Sequence, residues 1–146
     1  MNKWFFLVFM LIATHSGAQS SIDKVADDEL IAATLILEAG GERHPYSMVA
    51  VYEVIRNRAT QRNQTMREVV LARKQFSCWN NVERRMELFE HATRHIQYPL
   101  ALKIVREKKD TNITRGATHY HAVRVNPYWA TSYTETITIQ NHIFYR

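Results

Sequence analysis

The sequence predicts an α+β fold, a helical body closed by a small antiparallel sheet. Between about residues 23 and 109, apolar side chains recur at helical spacing. After Gly116 the pattern changes to short alternating runs rich in Thr, Ile and aromatic residues. With 146 residues the chain is the size of one domain, and Gly 4 and Pro 3 are too few for a turn-rich β-sandwich.

The elements follow in order. Over 23–39, Leu30, Ile31, Thr34, Leu35 and Glu38 share a helical stripe that stops at Gly40-Gly41. Pro45 sits at the start of a second helix, through Met48, Val51, Tyr52 and Ile55 to about Ala59. Thr65-Met66-Arg67-Glu68 is a capping box, so a short third helix begins there. Gln75 to Asn81 has neither period and reads as a loop. Val82, Met86, Phe89, Thr93 and Ile96 mark a fourth helix, and Pro99 opens a fifth that runs to about Lys109. Strands are expected over 117–123, 133–139 and 142–145.

The N-terminus reads as an export leader. Lys3 precedes the apolar run Trp4 to Ala13, and Ser16-Gly17-Ala18 supplies small residues at cleavage spacing. The expected organisation is a signal peptide over 1–18 and one soluble, exported domain over 19–146. Ten apolar residues fall short of the roughly 20 that span a bilayer, so an uncleaved anchor is the lesser alternative. Cys78 is the one cysteine, which leaves no internal disulfide and no thiolate pair for zinc. An exported chain of this kind depends on its core, and about 130 residues bury about two-thirds of their unfolded surface. The formal charge of +5 concentrates at Arg56, Arg58, Arg62, Arg67, Arg73 and Lys74. That run reads as a solvated face or as attraction to an anionic polymer, and no nucleic-acid-binding motif accompanies it.

Glu38 carries the most chemical information. It places a carboxyl group on the stripe that otherwise faces the core, in the last turn of a helix, where the dipole is negative. Both effects disfavour the ionised form, which suits a general acid for glycosidic cleavage. The plainer alternative has Glu38 at the stripe's edge, facing water. His119 and His121 lie two apart on a predicted strand and share a face about 7 Å apart. They line a cleft, hold a metal with His142, or make ordinary hydrogen bonds. Phe76, Trp79, Tyr120, Tyr128, Trp129 and Tyr133 gather in the loops and strands, where rings serve a polysaccharide groove or a core equally well. Cys78 between Ser77 and Trp79 also raises a cysteine-nucleophile reading, but its flanks match no such signature.

Four stretches and the chain's ending, taken together, resemble a known family. They are Leu37-Glu38-Ala39-Gly40-Gly41-Glu42, Val49 to Arg58, Gln75-Phe76-Ser77-Cys78-Trp79 and Gly116-Ala117-Thr118-His119-Tyr120-His121, with the ending Val125 to Tyr145. Their order and spacing resemble the SleB-type cell-wall hydrolases, the family of the spore cortex-lytic enzymes, over about residues 30–146. The resemblance implies a lysozyme-like, resuscitation-factor-like catalytic domain. It implies cleavage between N-acetylmuramic acid and N-acetylglucosamine in peptidoglycan, as a lytic transglycosylase, with Glu38 as the acid. The expected substrate contacts are Phe76, Ser77, His119, Tyr120, His121, Trp129 and Tyr133. The sequence departs from the family pattern at Ser47, at Gln140-Asn141 and at the two strand histidines, positions that affect turns and cleft lining.

In the implied mechanism Glu38 protonates the glycosidic oxygen and then, as a carboxylate, takes the proton of the sugar's C6 hydroxyl to close an anhydro ring. A hydrolase would need a second carboxylate, for which Glu42, Glu53 and Glu135 are the candidates. No metal or organic cofactor is required. The expected partner is the peptidoglycan glycan strand, with no nucleic acid, no membrane insertion after leader cleavage and a monomeric state. Two other classes compete: a catalytically silent peptidoglycan-binding module, and a His-ligated metal-dependent wall amidase.

Overall fold

A computed structural model of the chain describes residues 21–107 and 110–146. The expected leader over 1–18 lies outside the described residues. Five helices form the body: α1 (Asp27–Ala39), α2 (Tyr46–Arg62), α3 (Met66–Leu71), α4 (Arg85–Thr93) and α5 (Tyr98–Glu107). Three strands follow, β1 (His119–Ala122), β2 (Glu135–Ile139) and β3 (His142–Tyr145). All pairings are antiparallel and β3 is central, in the order β1-β3-β2. The α+β expectation holds.

α1 is the axis of the molecule. Leu30 to Ile36 are all buried, so the helix has no polar face along its middle. α2, α3, α4 and α5 all pack against it. A helix apolar on every side has to be surrounded in this way. Replacing Leu35, which has no exposed surface, by Ala would cost about 2–5 kcal/mol. Its one interior polar residue, Thr34, donates back to the Leu30 carbonyl at 2.9 Å and accepts from Trp79 Nε1 at 3.0 Å. The exposed end is tied by Arg67 to Asp27 and by Arg106 to Asp28, each at 2.6 Å.

Several boundaries differ from the sequence reading. The first helix starts at Asp27, because Val25 and Ala26 are extended and separate it from a 3-10 turn over Ile22–Lys24. The fourth likewise divides into a 3-10 turn over Val82–Arg84 and α4, and Ile96, at 91% exposed, lies on no buried face. The capping box is present in full, with Thr65 and Glu68 each bonding the other's backbone. Gln75 to Asn81 contains a 3-10 turn at Ser77–Trp79.

α2 fixes the sheet by means of polar side chains. Glu53, fully buried, accepts from Ile113 N at 2.9 Å and from Thr114 N and Oγ1 at 2.8 and 2.6 Å. Asn57 Nδ2 donates to the Ala117 carbonyl at 2.8 Å, and Arg58 Nε to that of Thr118 at 2.6 Å. The chain entering β1 is therefore held at four successive points, which sets where Tyr120 falls. Glu53 is committed to this role, so its candidacy as a second catalytic carboxylate lapses. The basic run is structural in part: Arg58 is 7% exposed and Arg56 meets Asp110 and the Thr111 carbonyl, while Arg62, which donates to Gln75, Arg73 and Lys74 stay exposed.

Candidate active site

The site begins where α1 ends. Glu38 is half-buried in the last turn, and the chain turns away at Gly40. Gly40 is required there, because a Cβ would stand 2.6 Å from the Ile36 carbonyl oxygen. The turn brings Glu42 back beside Glu38. Both line a cleft of about 510 Å3, with Ala122, Val123, Arg124, Asn141 and His142 completing its wall. The orientation of Glu42 beyond the two glycines could not be read from spacing.

Two donors hold the Glu38 carboxylate, one on each oxygen. Tyr120 donates its hydroxyl to Oε2 at 2.7 Å, and Cys78 its thiol to Oε1 at 3.6 Å. Burial first, then the Glu38 charge, keeps the Tyr120 phenol protonated well above its ordinary range. The same two causes, in the same order, push the Cys78 thiol up. Both groups therefore stay donors across the physiological range. Arg58 stacks over the Phe76 ring at 5.3 Å, and its guanidinium charge and the Glu38 carboxylate attract. Its Nη1 is buried without a hydrogen-bond partner, and burial lowers its proton affinity.

Strand parity divides the expected site residues. Tyr120 pairs with Phe144 and their rings stack at 5.5 Å on the face toward Glu38. His142 joins that face, edge-on to Tyr120 at 5.2 Å. His119 and His121 point the other way. They flank Trp129, each at 5.6 Å, and His119 packs at a tilt against Tyr133 at 4.0 Å. His121 also hydrogen-bonds the Tyr145 hydroxyl at 2.9 Å. Burial, with Arg58 and Arg62 nearby, lowers the proton affinity of His119. Phe76 is in the core at 1% exposed, while Ser77 is exposed beside Cys78.

Of the expected residues, then, Glu38 and Tyr120 meet directly. Phe76 acts beneath Arg58, and His119, His121, Trp129 and Tyr133 form a separate aromatic ledge. The three histidines weighed as metal ligands do not converge, because His142 lies across the sheet from the other two. Among the described residues no group of three His, Cys, Asp or Glu side chains is placed to hold a metal. The thiol of Cys78 faces Glu38, not an imidazole base.

The chain matches the Cell Wall Hydrolase family model over residues 43–145. It belongs to that family. The matched span takes in Cys78, Tyr120 and the whole sheet, while Glu38 and Glu42 lie just ahead of it. No curated protein and no solved structure matches the chain. Membership in the family carries a peptidoglycan-hydrolysing role and an extracytoplasmic place of work. No described helix is long and apolar enough to cross a membrane.

Proposed function

We propose that residues 19–146, exported behind a leader ending near Ala18, act as a monomeric glycosidase that cuts the bond between N-acetylmuramic acid and N-acetylglucosamine. Glu38 is its general acid and base, and the main product is the anhydro end of a lytic transglycosylase. The observation that carries this is one carboxyl group, gripped by Tyr120 and Cys78, opening on the cleft at the end of a buried helix.

Glu38 gives its proton to the glycosidic oxygen as the bond to the muramic acid C1 breaks and oxocarbenium character develops. The two donors then receive a carboxylate already oriented, at no cost in reorganisation. That carboxylate takes the proton of the C6 hydroxyl, whose oxygen closes on C1. No cofactor takes part. The aromatic ledge of His119, His121, Trp129 and Tyr133, with Tyr128 at 92% exposed beside it, suits the sugar rings of a longer strand.

Intact peptidoglycan incubated with the native protein should yield anhydro-ended muropeptides, identified by mass spectrometry. Glu38→Gln should lower their yield by about 100-fold or more. Undiminished cleavage by Glu38→Gln would overturn the assignment. Peptide-free glycans would indicate an amidase, and binding without cleavage a silent wall-binding module.

A further inference from the structure

The cleft lined by Glu38 also holds a carboxyl–imidazole pair. Glu42 and His142 both line it, with side chains 8% and 12% exposed. Ser47 donates its hydroxyl to Oε2 of Glu42. Nδ1 of His142 stands 2.8 Å from Oε1, at ion-pair distance though without the alignment of a full hydrogen bond. Contacts of this kind commonly tighten when substrate binds.

Glu42 thus has one oxygen against Ser47 and the other against the imidazole. A carboxylate beside Nδ1 favours the tautomer with the proton there and leaves Nε2 with its lone pair. Among the described residues Nε2 has no hydrogen-bond partner, and the buried nitrogen of the ring is Nδ1. Tyr120 edge-on at 5.2 Å and Phe144 at 6.3 Å fix the ring plane. Tyr120 also binds Glu38, so one phenol sets both acid–base groups. Ser47 and Asn141, two of the departures from the family pattern, both fall at this corner.

We infer that Glu42 and His142 form a general-base dyad that delivers water to the anomeric carbon, giving the enzyme a hydrolytic branch beside anhydro closure. The inference rests on the proposed role of Glu38. Glu38 gives its proton to the leaving oxygen as the C1–O bond breaks. The water oxygen bonds to C1 and its proton passes to Nε2 of His142. Glu42 stabilises the imidazolium, which returns its proton to solvent while Glu38 regains one. His142 is the catalytic residue of this branch, and Glu42 a positioning residue. A separate base suits water attack, since Glu38 serves the C6 hydroxyl in the other route. A cleft of about 510 Å3 has room for a water of about 30 Å3 beside a sugar ring.

The test digests intact peptidoglycan with the native protein, His142→Gln, Glu42→Gln and Glu38→Gln, reduces the products with borohydride and counts reduced against anhydro ends. The native protein should give both. In His142→Gln the ratio of reduced to anhydro ends should fall by about 100-fold. Glu42→Gln should lower it less, in the same direction. An unchanged ratio, a proportional loss of both ends, a selective loss of anhydro ends or a native digest without reduced ends would each overturn the inference. Cleavage persisting in Glu38→Gln would instead overturn the reading on which it rests, whatever the ratio.

Discussion

On the inner face of the sheet every ring is committed to a neighbour that reaches the cleft. Tyr120 binds Glu38, Phe144 backs Tyr120, and His142 meets Glu42. On the outer face His119, His121, Trp129, Tyr133 and Tyr145 contact one another, and Tyr133 remains 39% exposed. The two faces alternate along the same four-residue strand. The inner one is under electrostatic constraint from the half-buried Glu38 carboxylate, whereas the outer one is a surface of tilted and edge-on rings. The proposed chemistry on one side and the proposed binding of the glycan strand on the other rest on that difference.

The largest effect should come from the clamp that sets the division. Glu53→Ala strands three donors at once, two of them buried, and should cost about 3 kcal/mol or more in urea unfolding. A loss below about 1 kcal/mol would mean that the entry to β1 is held by other contacts. Next, Tyr120→Phe should lower kcat about tenfold with KM little changed, because a charge-assisted hydrogen bond is lost. Trp129→Ala should instead raise KM on long glycan strands. Equal losses of kcat in both variants would erase the distinction between the faces.

The smallest effect concerns His119. Folding lowers its proton affinity, so the unfolded chain takes up the proton first as pH falls. Stability should therefore be complete above the ordinary imidazole value of 6.5 and decline as pH drops through it. In His119→Gln that part of the decline should vanish from the thermal unfolding profile.

Local patterns made much of the fold legible. The glycine stop of α1, the Thr65–Glu68 capping box and the closing strand at His142 to Tyr145 all stand where their residues place them. Glu38 in the last turn of α1 was legible for the same reason. Its partners were not, since Cys78 and Tyr120 lie 40 and 82 positions away in sequence. Glu53 gave no signal, because a glutamate on a helix is exposed by default and its three donors sit across the molecule. His142 looked like a companion of His119 and His121 until the register put it on the other face. Arg56 and Arg58 gave no sign of their structural role, because their acceptors are backbone carbonyls that carry no mark in the sequence.

The single sulfur beside the acid bears on survival outside the cytoplasm. In an oxidising space an unpaired thiol invites capture by any passing disulfide. The species that attacks is the thiolate, and burial together with the Glu38 charge suppresses it at Cys78. Burial first, and the carboxylate second, thus keep the thiol in its unreactive form, while the thiol steadies the carboxylate. A lone cysteine is guarded at this position by its burial and, after that, by its neighbour.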